Sequence, residues 1–355
     1  MAVTLQTIAE HTGFSRSTVG HVLAGRGDEL NISPDTQAQI LQAAKSLGYR
    51  KGFMGQALRT GKADLVAIIG HAHQFHWREK RVALTAGLLR DRGYRVHLID
   101  VEWDAGGRER ATNELLDLNP LGVIFGEVAP MTAKYVEKLY QAGVPVVVGE
   151  GMPPEFGELP CDRIYLDREE TNWIATKQMI DLGHRHLVCL QDPESTAWEV
   201  RQRLAGFYRA IKEAGLRKSN GQAFLRKAED DLACGYASWA MAKDEFPKAT
   251  AFLAANDRVA AGLMNAVLED GVGVPDDISI MGAENEAFSA YMNPRMSTIA
   301  YPIEEMAQAA VDLLISRING SRKALQTVRY VGNLIERATT AAYSGTKTSA
   351  TRGEQ

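Results

Sequence analysis

Apolar residues recur at two spacings along this chain, and the change of spacing divides it. Over Thr4 to Leu23 the spacing is helical: Leu5, Ile8 and Ala9 share one face, Val19, Val22 and Leu23 share another, and Gly13 between them predicts a turn. Thr4 and Ser15 stand at N-cap positions, where a hydroxyl can accept from backbone N–H groups that the first helical turn leaves unbonded. Ser33-Pro34 opens a third helix, a capping residue followed by proline in the first turn. Its apolar face runs through Ile40, Ala43, Ala44 and Leu47, and Gly48 ends it. From Asp64 onward, solid apolar runs such as Leu65-Val66-Ala67-Ile68-Ile69 alternate with amphipathic stretches. Runs of that kind suit parallel strands covered on both faces. Strands are predicted at 65–70, 95–101, 122–125 and 144–148, then at 187–190, 223–225, 251–254 and 278–281, with helices between them. Two such series predict an α/β domain of two similar lobes following a small all-α unit.

The second short helix turns Arg16, Ser17 and His21 away from its apolar face, which suits a helix-turn-helix that reads DNA. Paired short helices are common in helical domains, so the pattern alone is weak. Charge strengthens it. The whole chain carries a net charge of −4, yet residues 1–62 hold seven Lys or Arg against four Asp or Glu, so the basic surface lies at the N-terminus.

Length and composition exclude several classes. A chain of 355 residues, 45% hydrophobic and 24% charged, has the makeup of an ordinary globular protein. No apolar run approaches a membrane span and the N-terminus lacks a signal-peptide core, so a cytoplasmic location is expected. Cys161, Cys189 and Cys234 are odd in number and widely spaced, which predicts reduced, buried thiols rather than disulfides or a zinc site. His71-Ala72-His73-Gln74-Phe75-His76 invites a metal reading, but no carboxylate or cysteine set accompanies it; no metal and no cofactor are expected. There is no nucleophile elbow, no phosphate-binding loop and no dinucleotide fingerprint after the first strand, so no enzyme is expected.

In order and spacing, Thr4 to Tyr49 with Leu58 and Gly61-Lys62 beyond them resemble the headpiece of the LacI/GalR family of bacterial transcription regulators. The resemblance continues through Asp167, Leu182-Gly183-His184-Arg185, Arg203-Leu204-Ala205-Gly206-Phe207, Ala254-Ala255-Asn256-Asp257, Val274-Pro275-Asp276-Asp277-Ile278 and Pro294-Arg295-Met296-Ser297-Thr298. It departs at Gly20-His21, where the family usually has serine-arginine, and in the loop Ala24 to Ile32, which is longer than usual. It departs again at Lys51-Gly52 and Gly55-Gln56 of the hinge segment.

The resemblance implies an all-α helix-turn-helix headpiece plus an α/β two-lobed, periplasmic-binding-protein-like (type I) regulatory domain. Its divisions would be a headpiece at 1–49, a hinge or linker at 50–63, an effector domain at 64–340 and a disordered tail at 341–355. The first lobe would take about 64–163 and 297–325, the second about 164–293 and 328–340. It also implies DNA contacts from Thr4, Ser15, Arg16, Ser17, Thr18 and His21, with Leu58 wedged into the minor groove. The function implied is a repressor of carbohydrate genes that binds a pseudo-palindromic operator. No leucine heptads follow the last strand, so a homodimer is expected rather than a tetramer.

Ligands of open parallel sheets sit beyond the carboxyl ends of strands, which selects His71, His73, Phe75, Glu127, Glu150, Asp192, Trp198 and Glu284. The resemblance adds Arg203, Asn256 and Tyr301 and repeats Glu150 and Glu284. Carboxylates, an arginine and an amide near aromatic faces suit a sugar or sugar derivative. Asn256 reads equally well as a helix cap. The alternative to a regulator is a cytosolic sugar-binding protein or sugar-acting enzyme fused to a helical interaction module.

Overall fold

The computed structural model describes residues 3–49, 63–70, 76–100, 105–126, 133–150, 159–195 and 197–345. The chain divides into two compact units, Met1–Asp64 and Leu65–Gln355.

In the first unit, α1 (Leu5–Thr12), α2 (Arg16–Leu23) and α3 (Pro34–Ser46) enclose Ile8, Ala9, Val19, Val22, Ile40, Ala43 and Ala44. Thr4 Oγ1 accepts from Thr7 N at 3.2 Å, and Thr7 Oγ1 accepts in return from Thr4 N at 3.2 Å. Ser15 Oγ accepts from Thr18 N at 3.0 Å, and Ser33 Oγ from Thr36 N at 3.3 Å. Gly13 closes α1 at φ 75°, the left-handed conformation the turn requires. The long loop is fastened to α3: Gln37 Nε2 donates to Asp28 Oδ1 at 2.9 Å and to the Ile32 carbonyl at 2.8 Å.

The second unit contains two sheets. The first has β1 (Ala63–Gly70), β2 (Val96–Asp100), β3 (Pro120–Phe125), β4 (Val146–Val148), β5 (Asp162–Leu166) and β11 (Thr327–Tyr330) in the order β11-β5-β4-β3-β1-β2. The second has β6 (Leu187–Leu190), β7 (Gly221–Ala223), β8 (Ala251–Ala254) and β9 (Ser279–Met281) in the order β7-β6-β8-β9, all parallel. A separate antiparallel pair, β10 (Thr298–Ala300) with β12 (Asn333–Ile335), completes the strands. The first sheet is accompanied by α4 (His76–Asp91), α5 (Ala105–Leu118), α6 (Ala133–Gln141) and α11 (Ile303–Ile318). The second is accompanied by α7 (Arg168–Asp181), α8 (Trp198–Glu213), α9 (Asp231–Glu245) and α10 (Asp257–Glu269).

Three boundaries differ from expectation. The strand expected at 223–225 lies at Gly221–Ala223, because Phe224 and Leu225 already turn into the loop before α9. Strands β5 and β11 pair along their whole length in the first sheet, Val328 against Ile164 and Tyr330 against Leu166, so that lobe extends to Leu166 and also owns 327–330. The start of the segment expected to be disordered from 341 is docked at Ala341 and Tyr343. Ala341 N donates to Ser279 Oγ at 3.1 Å, Tyr343 N donates to the Leu182 carbonyl at 2.7 Å, and the Tyr343 ring lies 5.7 Å from that of His184. A few main-chain bonds and one ring suffice to hold it, and composition does not reveal those. Residues 346–355 lie outside the described set.

Candidate functional site

Two places bring the predicted residues together, one in each unit. On the headpiece, α2 exposes Arg16 and Ser17, while Val19 and Val22 hold its other face in the core. Arg16 makes no ion pair or hydrogen bond among the described residues. Ser17 Oγ and His21 Nε2 share a hydrogen bond of 3.2 Å, one turn apart. The hydroxyls of Ser15 and Thr18 meet at 2.8 Å, so these two shape the start of the helix, as Thr4 does for α1. Leu58 lies outside the described residues.

In the second unit, the carboxyl ends of the strands and the N-termini of the helices that follow converge on one buried cluster. Glu150, two residues beyond β4, is wholly enclosed. Arg168 Nη2 donates to its Oε1; Arg81 Nη1 lies 3.3 Å from its Oε2 and Arg78 Nε 3.5 Å from the same oxygen. Burial alone would raise this carboxyl, but Arg168, Arg78 and Arg81 together outweigh it and hold the pKa at about 2. Arg81 also donates to the carbonyls of Gly126 and Gly149, fastening the ends of β3 and β4. Arg78 reaches the other lobe, with Nη2 3.7 Å from Glu199 Oε1.

Aromatic rings wall this cluster. The guanidinium of Arg168 lies 5.2 Å from the Trp198 ring and 5.7 Å from the Trp77 ring, and Trp77 meets Tyr301 edge to face at 5.4 Å. Arg168 and Trp198 are the first residues of α7 and α8, so the packing of those helices sets their separation. Gly206 permits it: a Cβ there would stand 2.0 Å from the Glu169 carbonyl oxygen. Arg209 then ties α8 to Glu169 at 2.8 Å and Glu170 at 2.6 Å.

Glu284 enters from the far side, three residues past β9, at φ 94° with Asn285 at φ 52°. Left-handed backbone at two consecutive non-glycine residues costs roughly 1–3 kcal/mol each and persists only where the surroundings impose it. Here Glu284 N donates to the Ile299 carbonyl at 2.7 Å and Arg337 Nη2 to Asn285 Oδ1 at 2.7 Å. Burial pushes the Glu284 carboxyl up to about 8; Arg203 opposes this, and Asp257 and Glu286 add to it. Asp257 is itself raised by burial to about 7, opposed by hydrogen bonds from Thr298 Oγ1 at 2.6 Å and Glu286 N at 2.7 Å. The hydroxyl of Tyr301 lies beside Arg203 without a well-formed hydrogen bond.

Of the predicted effector residues, Glu150, Trp198, Arg203, Glu284 and Tyr301 therefore share one cluster. Asn256 acts locally, its Oδ1 capping α10 by accepting from Val259 N at 2.9 Å and its Nδ2 donating to Asp231 at 2.7 Å. His71, His73, Phe75 and Glu127 lie outside the described residues. Among the described residues, no three His, Cys, Asp or Glu side chains are grouped to hold a metal. His184 is structural, its ring bonded to Thr250 Oγ1 at 2.9 Å and Ser279 Oγ at 3.1 Å. Sequence reasoning missed Trp77, Arg78, Arg81 and Arg168. A signal existed, for Arg78 and Arg168 stand in the first turns of long helices, where the helix dipole disfavours a cation.

Residues 176–340 match the periplasmic binding protein-like domain family. The HTH-type transcriptional regulator AscG of Escherichia coli is 24% identical over 89% of this chain and 92% of its own length. The HTH-type transcriptional repressor PurR of Vibrio campbellii is 27% identical over 89% and 92%. The fold is similar to that of the lac repressor dimer solved with operator and the anti-inducer ONPF, with a TM-score of 0.81 at 23% identity, covering 96% of this chain and all of that one. No helix among the described residues is long and apolar enough to cross a membrane.

Proposed function

We propose that this chain is a bacterial transcription regulator of the LacI/GalR type and works as a ligand-responsive repressor, not an enzyme, acting in the cytoplasm as a homodimer on a pseudo-palindromic operator. The observation that supports this most is the presence in one chain of a capped α2 with a free Arg16 and of a two-lobed unit with a buried polar cluster between its sheets. Helix α2 enters the major groove, with Arg16 and Ser17 at base edges and His21 at a base or phosphate. Thr4, Ser15 and Thr18 fix the helix starts beside the phosphates, and Leu58 serves as the minor-groove wedge.

A small effector, a sugar or sugar derivative, occupies the cluster and contacts Trp198, Arg203, Glu284 and Tyr301. His71, His73, Phe75 and Glu127, which follow β1 and β3 in the sequence, are further candidate contacts, and Asn256 adds its remaining amide N–H. Glu150 acts at one remove, by holding Arg78, Arg81 and Arg168 in place. Effector binding shifts the lobes and, through the hinge at 50–63, changes DNA affinity by a coupling free energy of about 1–3 kcal/mol.

The test is operator affinity, using a site selected from random duplexes, measured at several salt concentrations. Affinity should fall steeply as salt rises, because phosphate contacts release counterions. A flat response contradicts the DNA-binding reading.

A further inference from the structure

Resting on the reading of this cluster as the effector site, we propose that the effector is an anion: a small polyhydroxylated compound whose carboxylate or phosphate is received by Arg203 and the unbonded edge of Arg168, between the Trp198 indole and the Tyr301 hydroxyl.

The unmet hydrogen-bonding groups of the cluster point to this. Arg168 is 1% exposed, and only its Nη2 is engaged; Nε and Nη1 have no acceptor. Arg203 forms no ion pair among the described residues, and its Nε is buried without an acceptor. Trp198 Nε1 is a further buried donor without a partner, and the buried Tyr301 hydroxyl has none either. Four of these five groups can only donate. A neutral sugar brings donors and acceptors together on each hydroxyl. A carboxylate or phosphate brings acceptors alone, with the geometry a guanidinium matches.

Charge points the same way. The carboxyl nearest in role to a counterion for Arg203 is Glu284, and its pKa of about 8 leaves it mostly protonated at neutrality. Glu150 already serves three guanidiniums. A guanidinium partly withdrawn from water without a full counterion is costly, and an anionic ligand removes that cost on binding. The same residues set the pH dependence. Arg203 and Arg78 face Glu284 as cations, Asp257 and Glu286 as acids, so raising the pH through about 8 places a negative charge where the ligand's own must sit.

The experiment uses the full chain at fixed ionic strength and follows thermal unfolding and tryptophan fluorescence. The probes are matched sets: D-glucose, D-gluconate and D-glucose 6-phosphate, the corresponding galactose series, and acetate and inorganic phosphate as minimal anions. The acid or phosphate member of a set should stabilise the protein saturably, and the neutral member should bind about tenfold or more weaker. Gluconate against the sugar phosphate distinguishes a carboxylate from a phosphate. Arg203→Gln should abolish the preference, and Arg203→Lys should keep part of it, which also separates site binding from general salt stabilisation. Equal binding of neutral and anionic members overturns the proposal. So does the absence of any response to these anions from protein that still binds operator DNA salt-dependently; the regulator reading then stands. Loss of salt-dependent DNA binding removes that reading instead.

Discussion

The headpiece and the buried cluster handle polar side chains in opposite ways. Around α2, each hydroxyl that shapes the helix is bonded within one turn, and the side chain offered to a partner, Arg16, stands free in water. Between the lobes, charged groups from six segments of the chain are brought out of water, and their cost is met by one another and by a few carbonyls, amides and hydroxyls. A local arrangement loses little when one member is removed. A buried network loses far more, since each deletion leaves a charge without its partner.

The largest contrast comes from Glu150→Ala, which leaves three guanidiniums around an apolar methyl. It should destabilise the second unit by about 3–5 kcal/mol, read from urea unfolding. The wild-type contribution also has a definite pH window. With the folded pKa depressed to about 2 from an ordinary 4.5, it is complete above 4.5 and lost as the pH falls towards 2. Arg16→Ala should leave unfolding unchanged and cost about 1–3 kcal/mol of discrimination at one operator position; an equal loss on all sequences would make Arg16 a phosphate contact. Ser15→Ala removes the cap of α2 and should lower headpiece stability by about 1 kcal/mol, visible in the melting of that unit.

Glu284→Gln should act with the opposite sign to Glu150→Ala. A carboxyl raised to about 8 stabilises the fold while protonated, and that contribution declines as the pH rises from 4.5 through 8. The glutamine variant should lose this slope and gain stability relative to wild type at alkaline pH. An unchanged slope would place the titration elsewhere, with Asp257 the next candidate.

The same contrast explains what could be read from the sequence. The helices of the headpiece fall where caps and glycines put them, because Thr4, Ser15, Ser33 and Gly13 act on neighbours three or four residues away. The solid apolar runs likewise marked out the two parallel sheets, and the strand-end rule reached Glu150, Trp198 and Glu284. The partners of those residues were not legible. That Glu150 would be enclosed by Arg78, Arg81 and Arg168 depends on the approach of α7 to α8, which Gly206 permits, and on the ends of β3 and β4 being fastened by Arg81. The docked segment at 341–343 was hidden for a similar reason, since its anchors are main-chain bonds to Leu182 and Ser279 far back in the chain.

One measurement joins the two regions directly: the affinity of the full chain for its selected operator, by fluorescence anisotropy, with and without a saturating anionic effector at constant ionic strength. The account predicts a change of about 5- to 150-fold that Arg203→Gln abolishes. An operator affinity indifferent to a ligand that demonstrably occupies the cluster would contradict it.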